Sequence, residues 1–289
     1  RLHPWRVHGA LLAVQLLFGS WPVVGKVALK AIPGPMLIGL RATLATVLFF
    51  ALGHAVRLTR RQHAGVAVAA VLGITINQLL FIGGLTRTSA VNATVLATTI
   101  PVWTLFLSLL TRTEAPTAQR ILGITVAFGG ALWVTGAGAL SMGDTFLWGN
   151  LMLLVRTLAY AGYLVVARRL SAALPPLSMV PWIFFYVAVF TLPFAGPVAW
   201  ETHVDWTPAL VLLVGYIVLG PTVGTYLLNA VALREAPPTL VAVYIYLQPL
   251  VAAVLAYPVL GETPSPGVLT GGAIIFLGVF LTTRQAPRS

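Results

Sequence analysis

Apolar runs of about twenty residues follow one another along nearly the whole chain, and the short breaks between them hold almost all of its charge. An α-helix rises 1.5 Å per residue, so about 20 residues cross the roughly 30 Å hydrocarbon core of a bilayer. Backbone groups in that core must be satisfied internally, and for runs of this length the solution is a helix. Ten runs can be drawn, at 7–30, 35–56, 63–85, 89–111, 118–137, 146–168, 177–197, 207–232, 238–259 and 267–283. Composition agrees: 58% of the 289 residues are hydrophobic and 8% charged, against roughly 25% charged in soluble domains. The expected fold class is therefore an all-α polytopic membrane protein of ten transmembrane helices, with the lipid bilayer as its principal partner. The first run is read as a span, because it is long enough to cross and no small-residue cleavage site follows it.

A net charge of +11 would suit nucleic acid if it were clustered. It is instead spread over short loops, which removes nucleic acid from the partners and leaves an orientation signal. With the N-terminus in the cytoplasm, Arg1, Arg6, Arg57, Arg60, Arg61, Arg112, Arg120, Arg168, Arg169, Arg234, Arg284 and Arg288 all fall inside. Only Lys30 and Arg87 fall outside. That alternation supports ten spans with both termini cytoplasmic. No cysteine is present, which excludes disulfides, thiol catalysis and Cys-based metal sites. His3, His8, His54, His63 and His203 lack metal-ligand spacing, so no metal and no cofactor is expected. No phosphate-cradling Gly-x-x-x-x-Gly-Lys loop occurs either, and ATP-driven pumping has no support.

The chain also repeats itself. Pro101, Glu114, Gly123 and Gly130 recur 148 positions later as Pro249, Glu262, Gly271 and Gly278. The same displacement carries Leu85 to Leu233, Thr117 to Ser265 and Phe128 to Phe276. Five spans separate the copies, and five is odd, so the second copy is expected upside down in the membrane. Inverted halves, 1–140 and 141–289, are a common construction for alternating access around a midplane site.

These residues, with Asn77–Gln78, Ser89–Ala90–Val91–Asn92–Ala93 and Asn229, resemble the EamA family of the drug/metabolite transporter superfamily. The resemblance covers nearly the whole chain. It implies a ten-helix carrier in the cell membrane, commonly an exporter of amino acids or other small metabolites. One departure stands out: the sixth span, usually uncharged at mid-membrane in such proteins, carries Arg156.

The six acidic residues, Glu114, Asp144, Glu201, Asp205, Glu235 and Glu262, lie in loops or at span ends. Proton-coupled carriers generally need an intramembrane carboxylate or His, so gradient-driven movement is favoured. Backbone carbonyls at a broken helix remain an alternative ion site. Arg156 lies about 15 Å deep at helical rise, where a cation costs about 2.5–3.5 kcal/mol. It either receives a substrate carboxylate through its fork of donors or bonds backbone carbonyls as a structural residue. Arg41, near a span end, reads as structural; Lys26, a turn from the outer end, can reach the interface.

Amides and aromatics at mid-span depth form the other candidate lining: Gln15, Trp21, Asn77, Gln78, Phe81, Trp103, Tyr160, Tyr163, Tyr226, Asn229, Tyr244, Tyr246 and Gln248. Amides are costly in lipid, so these faces should point inward; interfacial belts are the alternative for Trp and Tyr. Pro101 and Pro249 interrupt equivalent spans and are the candidate hinges. Gly123, Gly129, Gly130, Gly271, Gly272 and Gly278 should permit close helix packing. The function these features point to is export of a small carboxylate-bearing metabolite, an aromatic amino acid for example, by a monomer. The alternatives are an exporter of lipophilic drugs and a non-transporting receptor or scaffold. An intramembrane enzyme is not expected, since no Asp pair, Ser/His pair or His-Glu metal motif is visible.

Overall fold

The computed structural model describes residues 4–51, 56–111, 117–142, 144–236 and 238–283. Glu114, Arg1, Arg112, Arg284, Arg288, His3 and His54 lie outside the described residues. The elements are helices throughout: α1 (Pro4–Ala28), α2 (Gly34–Ala51), α3 (Arg60–Ala70), α4 (Asn77–Leu85), α5 (Ala90–Ala97), α6 (Ile100–Leu110) and α7 (Ala118–Met142). The second part holds α8 (Asp144–Ala173), α9 (Pro176–Glu201), α10 (Pro208–Val218), α11 (Thr225–Glu235), α12 (Pro238–Val243), α13 (Gln248–Leu260) and α14 (Pro266–Thr283). Among the described residues, seven helical stretches are long and apolar enough to cross a membrane, including Arg60–Leu85 and Pro208–Glu235. Three shorter apolar stretches, Ile121–Gly130, Tyr244–Leu260 and Pro266–Gly278, fall where the remaining three runs were drawn. Side chains such as Leu16, Val47, Leu212 and Val254 stand well exposed around the outside, a surface that suits lipid and not water.

Helix starts follow ordinary capping chemistry. Thr59 accepts the Gln62 N–H while Gln62 reaches back to the Thr59 N–H, a capping box that opens α3. Ser89 and Thr207 cap α5 and α10 in the same way, each accepting from the N–H three residues on.

The displacement of 148 reappears in the irregularities of the backbone. A π-helical stretch, Val71–Ile76, joins α3 to α4, and a second, Leu219–Gly224, joins α10 to α11. The two run drawn with a proline at their centre are each broken just before it. Thr98 and Thr99 form a turn between α5 and α6, and a 3-10 turn, Tyr244–Leu247, precedes α13. Pro101 and Pro249 are each the second residue of the helix that follows, where a missing N–H costs nothing. The hydroxyls of Thr98 and Thr99 bond back to the carbonyls of Val95 and Leu96, satisfying backbone at the break.

α7 packs along α14 through glycines. A Cβ on Gly130 would lie 2.9 Å from the Gly271 carbonyl oxygen, and one on Gly278 would lie 2.6 Å from that of Gly123. Shifting the first contact by 148 generates the second, so the two copies meet in a self-complementary way. Gly129 and Gly272 are not part of this seam: no atom lies within 4 Å of a Cβ built at Gly129, and Gly272 would only touch Val95 at 3.6 Å. α2 lies along α9 with comparable intimacy, where Gly39 admits the Ala195 methyl.

Candidate functional site

A cavity sits where these irregularities converge. α1 contributes Phe18, Trp21 and Pro22; α4 contributes Asn77, Gln78 and Phe81, directly after the first π stretch. Ala97 and Ile100 flank the break between α5 and α6. Arg156 and Tyr160 come from α8, Tyr226 from α11, and Gln248 from the first position of α13. A second, smaller cavity shares Gln78 and Tyr226 with the first and is bounded by Arg41 and Thr222.

Two buried guanidiniums frame these cavities, and they are held very differently. Arg41 donates from Nε to Thr222 Oγ1 and from Nη1 to Gln78 Oε1, each at 2.9 Å. Arg156 has one long bond, Nη2 to the Ala93 carbonyl at 3.4 Å, and its Nε has no partner. The Arg156 guanidinium stands 4.6 Å from the Phe81 ring centre; Phe81 stacks on Trp21, and Trp21 lies 3.9 Å beneath the Arg41 guanidinium. The result is a ladder of cation, ring, ring and cation. Cation–π contact stabilises a desolvated guanidinium by about 2 kcal/mol, but it occupies none of the N–H donors.

Residues that line the main cavity have donors left over. Trp21 Nε1, Asn77 Nδ2 and Arg156 Nε are buried and without partners. All three are donors, and none of the cavity's lining residues is acidic. Leaving a buried donor unmade costs about 1–3 kcal/mol, so the cavity is built for something rich in acceptors.

Of the candidates drawn from the sequence, Trp21, Asn77, Gln78, Phe81, Arg156, Tyr160, Tyr226 and Gln248 line the cavity. Three stand directly behind them. Gln15 accepts from Gln248 Nε2 at 2.7 Å, Asn229 donates to the Tyr160 hydroxyl at 2.8 Å, and the Tyr163 ring packs on Tyr160 and Tyr226. Trp103, Tyr244 and Tyr246 are not brought to the cavity. Trp103 packs on Phe106 and Phe128, Tyr244 bonds to His8, and Tyr246 packs on Phe276. The lining also includes Phe18, Pro22, Ala97 and Ile100, which carry no polar signal. Phe18 could have been found from its spacing, since it shares a helical face with Gln15 and Pro22.

Lys26 does not simply extend toward the interface. Its Nζ pairs with Glu262 Oε1 at 2.6 Å, and Glu262 Oε2 accepts the Ala90 N–H at 2.7 Å. One carboxylate thereby ties the end of α1 to the start of α5. Gly261 sets its position: the left-handed backbone there (φ 69°) closes α13 with the Gly261 and Glu262 N–H groups bonded to Tyr257 and Ala256 carbonyls. Far along the chain, Arg168 donates to the carbonyls of Leu233 and Arg234 at the end of α11.

The model of the EamA-like transporter family matches the sequence twice, over residues 6–136 and 147–284. The chain is 26% identical to the uncharacterized inner membrane transporter YedA of Escherichia coli (strain K12), over 95% of this chain and 90% of that one. It is also 26% identical to a probable terminal-alkyne amino-acid exporter of Streptantibioticus cattleyicolor, over 76% of this chain and 73% of the relative. A solved crystal structure has the same fold, with a TM-score of 0.70 and 17% identity, over 97% of this chain and 98% of that one.

Proposed function

The chain belongs to the EamA-like transporter family, a multi-pass protein of the cell membrane, and from that premise we propose that it exports small carboxylate-bearing metabolites, a class that includes the aromatic amino acids. The observation that carries this reading is the set of unpartnered donors, Arg156 Nε with Trp21 Nε1 and Asn77 Nδ2, lining one cavity that has no acid. A carboxylate supplies the missing acceptors and a charge for Arg156, whose planar fork can bind it bidentately. The rings of Phe18, Tyr160 and Tyr226 suit an apolar or aromatic body. The exporter-named relative supports the outward direction.

The layout that goes with this function is ten transmembrane helices in two inverted five-helix halves, 1–140 and 141–289, working as a monomer with both termini cytoplasmic. The paired π stretches, the paired breaks before Pro101 and Pro249, and the reciprocal glycine seam support it. Pro101 and Pro249 then serve as hinges of alternating access.

The direct test is transport of a small aromatic carboxylate by purified protein in proteoliposomes. Flux should follow the substrate's own gradient and respond little to an imposed pH gradient, since no described acidic residue lies at mid-span. Accumulation driven by pH alone would contradict gradient-driven movement, and absence of flux for every carboxylate would contradict the substrate class.

In this layout the Lys26–Glu262–Ala90 contact lies at the outer end and helps to hold it shut. Glu262→Gln keeps one acceptor but loses the ion pair, so the outer end should open more often. The chain has no native cysteine, so a single cysteine at Ala97 in the cavity can report on this. Glu262→Gln should raise its labelling by an impermeant thiol reagent applied from outside severalfold; an unchanged rate removes the contact from gating.

A further inference from the structure

We infer that the cavity selects net anions and discriminates against free amino acids, so that its substrates are aromatic or apolar carboxylates whose amine is absent or masked. The inference rests on the carboxylate reading above and narrows it. An α-ammonium brings three N–H donors and a positive charge, and the lining holds no negative charge to meet it. The enclosed, unpartnered atoms of the lining are donors, Arg156 Nε, Trp21 Nε1 and Asn77 Nδ2; the amide oxygens of Asn77 and Gln248 can accept from an ammonium but cannot neutralise it. The lining contains a cation and no carboxylate. A second guanidinium, that of Arg41, bounds the adjoining cavity and bonds Gln78, which lines both.

Aromatic faces are the usual neutral refuge for an ammonium, but two of those at hand already carry charge. Phe81 lies under the Arg156 guanidinium and Trp21 under that of Arg41. The carbonyl oxygen of Gln78 is likewise occupied by Arg41, and that of Gln15 by Gln248. An ammonium entering this space loses its water and meets like charge in a medium of low dielectric, where the repulsion is felt most strongly. A carboxylate on an uncharged body meets the reverse on every count.

Four probes of one shape separate the possibilities: 3-phenylpropanoate, N-acetylphenylalanine, phenylalanine and phenethylamine. Affinities measured by titration on the purified chain should place both anions at least tenfold tighter than phenylalanine, with phenethylamine not binding. Phenylalanine binding as tightly as 3-phenylpropanoate overturns the inference and leaves the carboxylate reading standing. Phenethylamine binding while neither anion does overturns both. Asn77→Asp provides a second arm that preserves shape. An acid at that position offers the ammonium a partner and offsets Arg156, so the preference for 3-phenylpropanoate over phenylalanine should shrink tenfold or more. An unchanged ratio in a folded Asn77→Asp variant counts against selection by charge.

Discussion

Arg156→Gln should lower affinity for 3-phenylpropanoate tenfold or more and leave the melting temperature of the free protein unchanged or raised. The two halves of that result have separate causes. A hydrogen bond to a charged group contributes about 1.5–3 kcal/mol, and a factor of ten corresponds to about 1.4 kcal/mol. The unliganded protein loses a 3.4 Å contact to Ala93 and the contact with the Phe81 ring, while the Arg156 Nε bonds nothing. Relief of the cost of burying a cation, about 2.5–3.5 kcal/mol at mid-membrane, offsets the cation–π contact of about 2 kcal/mol. Arg156→Lys should fall between the two, keeping the charge and losing the planar fork. Arg41 offers the contrast. Its guanidinium ties α2 to two other elements, through Thr222 and Gln78, so Arg41→Gln should melt earlier. A destabilised Arg156→Gln with normal affinity would assign Arg156 to the scaffold.

The second large effect is steric. In Gly278→Ala the new methyl carbon would lie 2.3 Å from the Ala127 backbone nitrogen and 2.6 Å from the Gly123 oxygen. Both neighbours are helix backbone and cannot rotate away, so α7 and α14 must part along their length. Overpacking of this kind costs about 1–3 kcal/mol and sometimes more. Gly130→Ala should behave alike, since it meets Ile275 N at 2.8 Å and Gly271 O at 2.9 Å. Gly129, one residue away, has open space around it; Gly129→Ala should be neutral or slightly stabilising by helix propensity. Thermal melts of the three variants in one detergent decide the matter, and equal melting of Gly278→Ala and Gly129→Ala would refute the close seam.

Much of this was legible in the sequence because lipid imposes few and strict rules. Apolar runs of spanning length, the prolines at 101 and 249, and amides or cations inside such runs each have one dominant physical meaning. Hence Arg156, Asn77, Gln78 and Gln248, which line the cavity, already stood out in the sequence. Ala97 and Ile100 escaped because an apolar residue in an apolar run carries no contrast, while Phe18 had only its spacing from Gln15 to mark it. Tyr244 and Tyr246 were misplaced for a geometric reason. They were chosen by depth in the span, and depth does not say which way a side chain points; the 3-10 turn that holds them advances about 120° per residue where an α-helix advances about 100°. Lys26 needed its partner, and a contact 236 positions away leaves no local trace. The π stretches were equally silent, since one residue beyond the regular ladder alters no composition.

Those π stretches also bear on the cavity. A π turn is an irregularity met most often at functional sites. Val71–Ile76 and Leu219–Gly224 stand 148 positions apart, the same interval that separates Pro101 from Pro249 and Gly130 from Gly278 without a gap. Asn77 and Gln78 follow the first stretch directly, Tyr226 follows close on the second, and all three line the cavity. Equivalent distortions thus deliver the residues that come after them to one shared space.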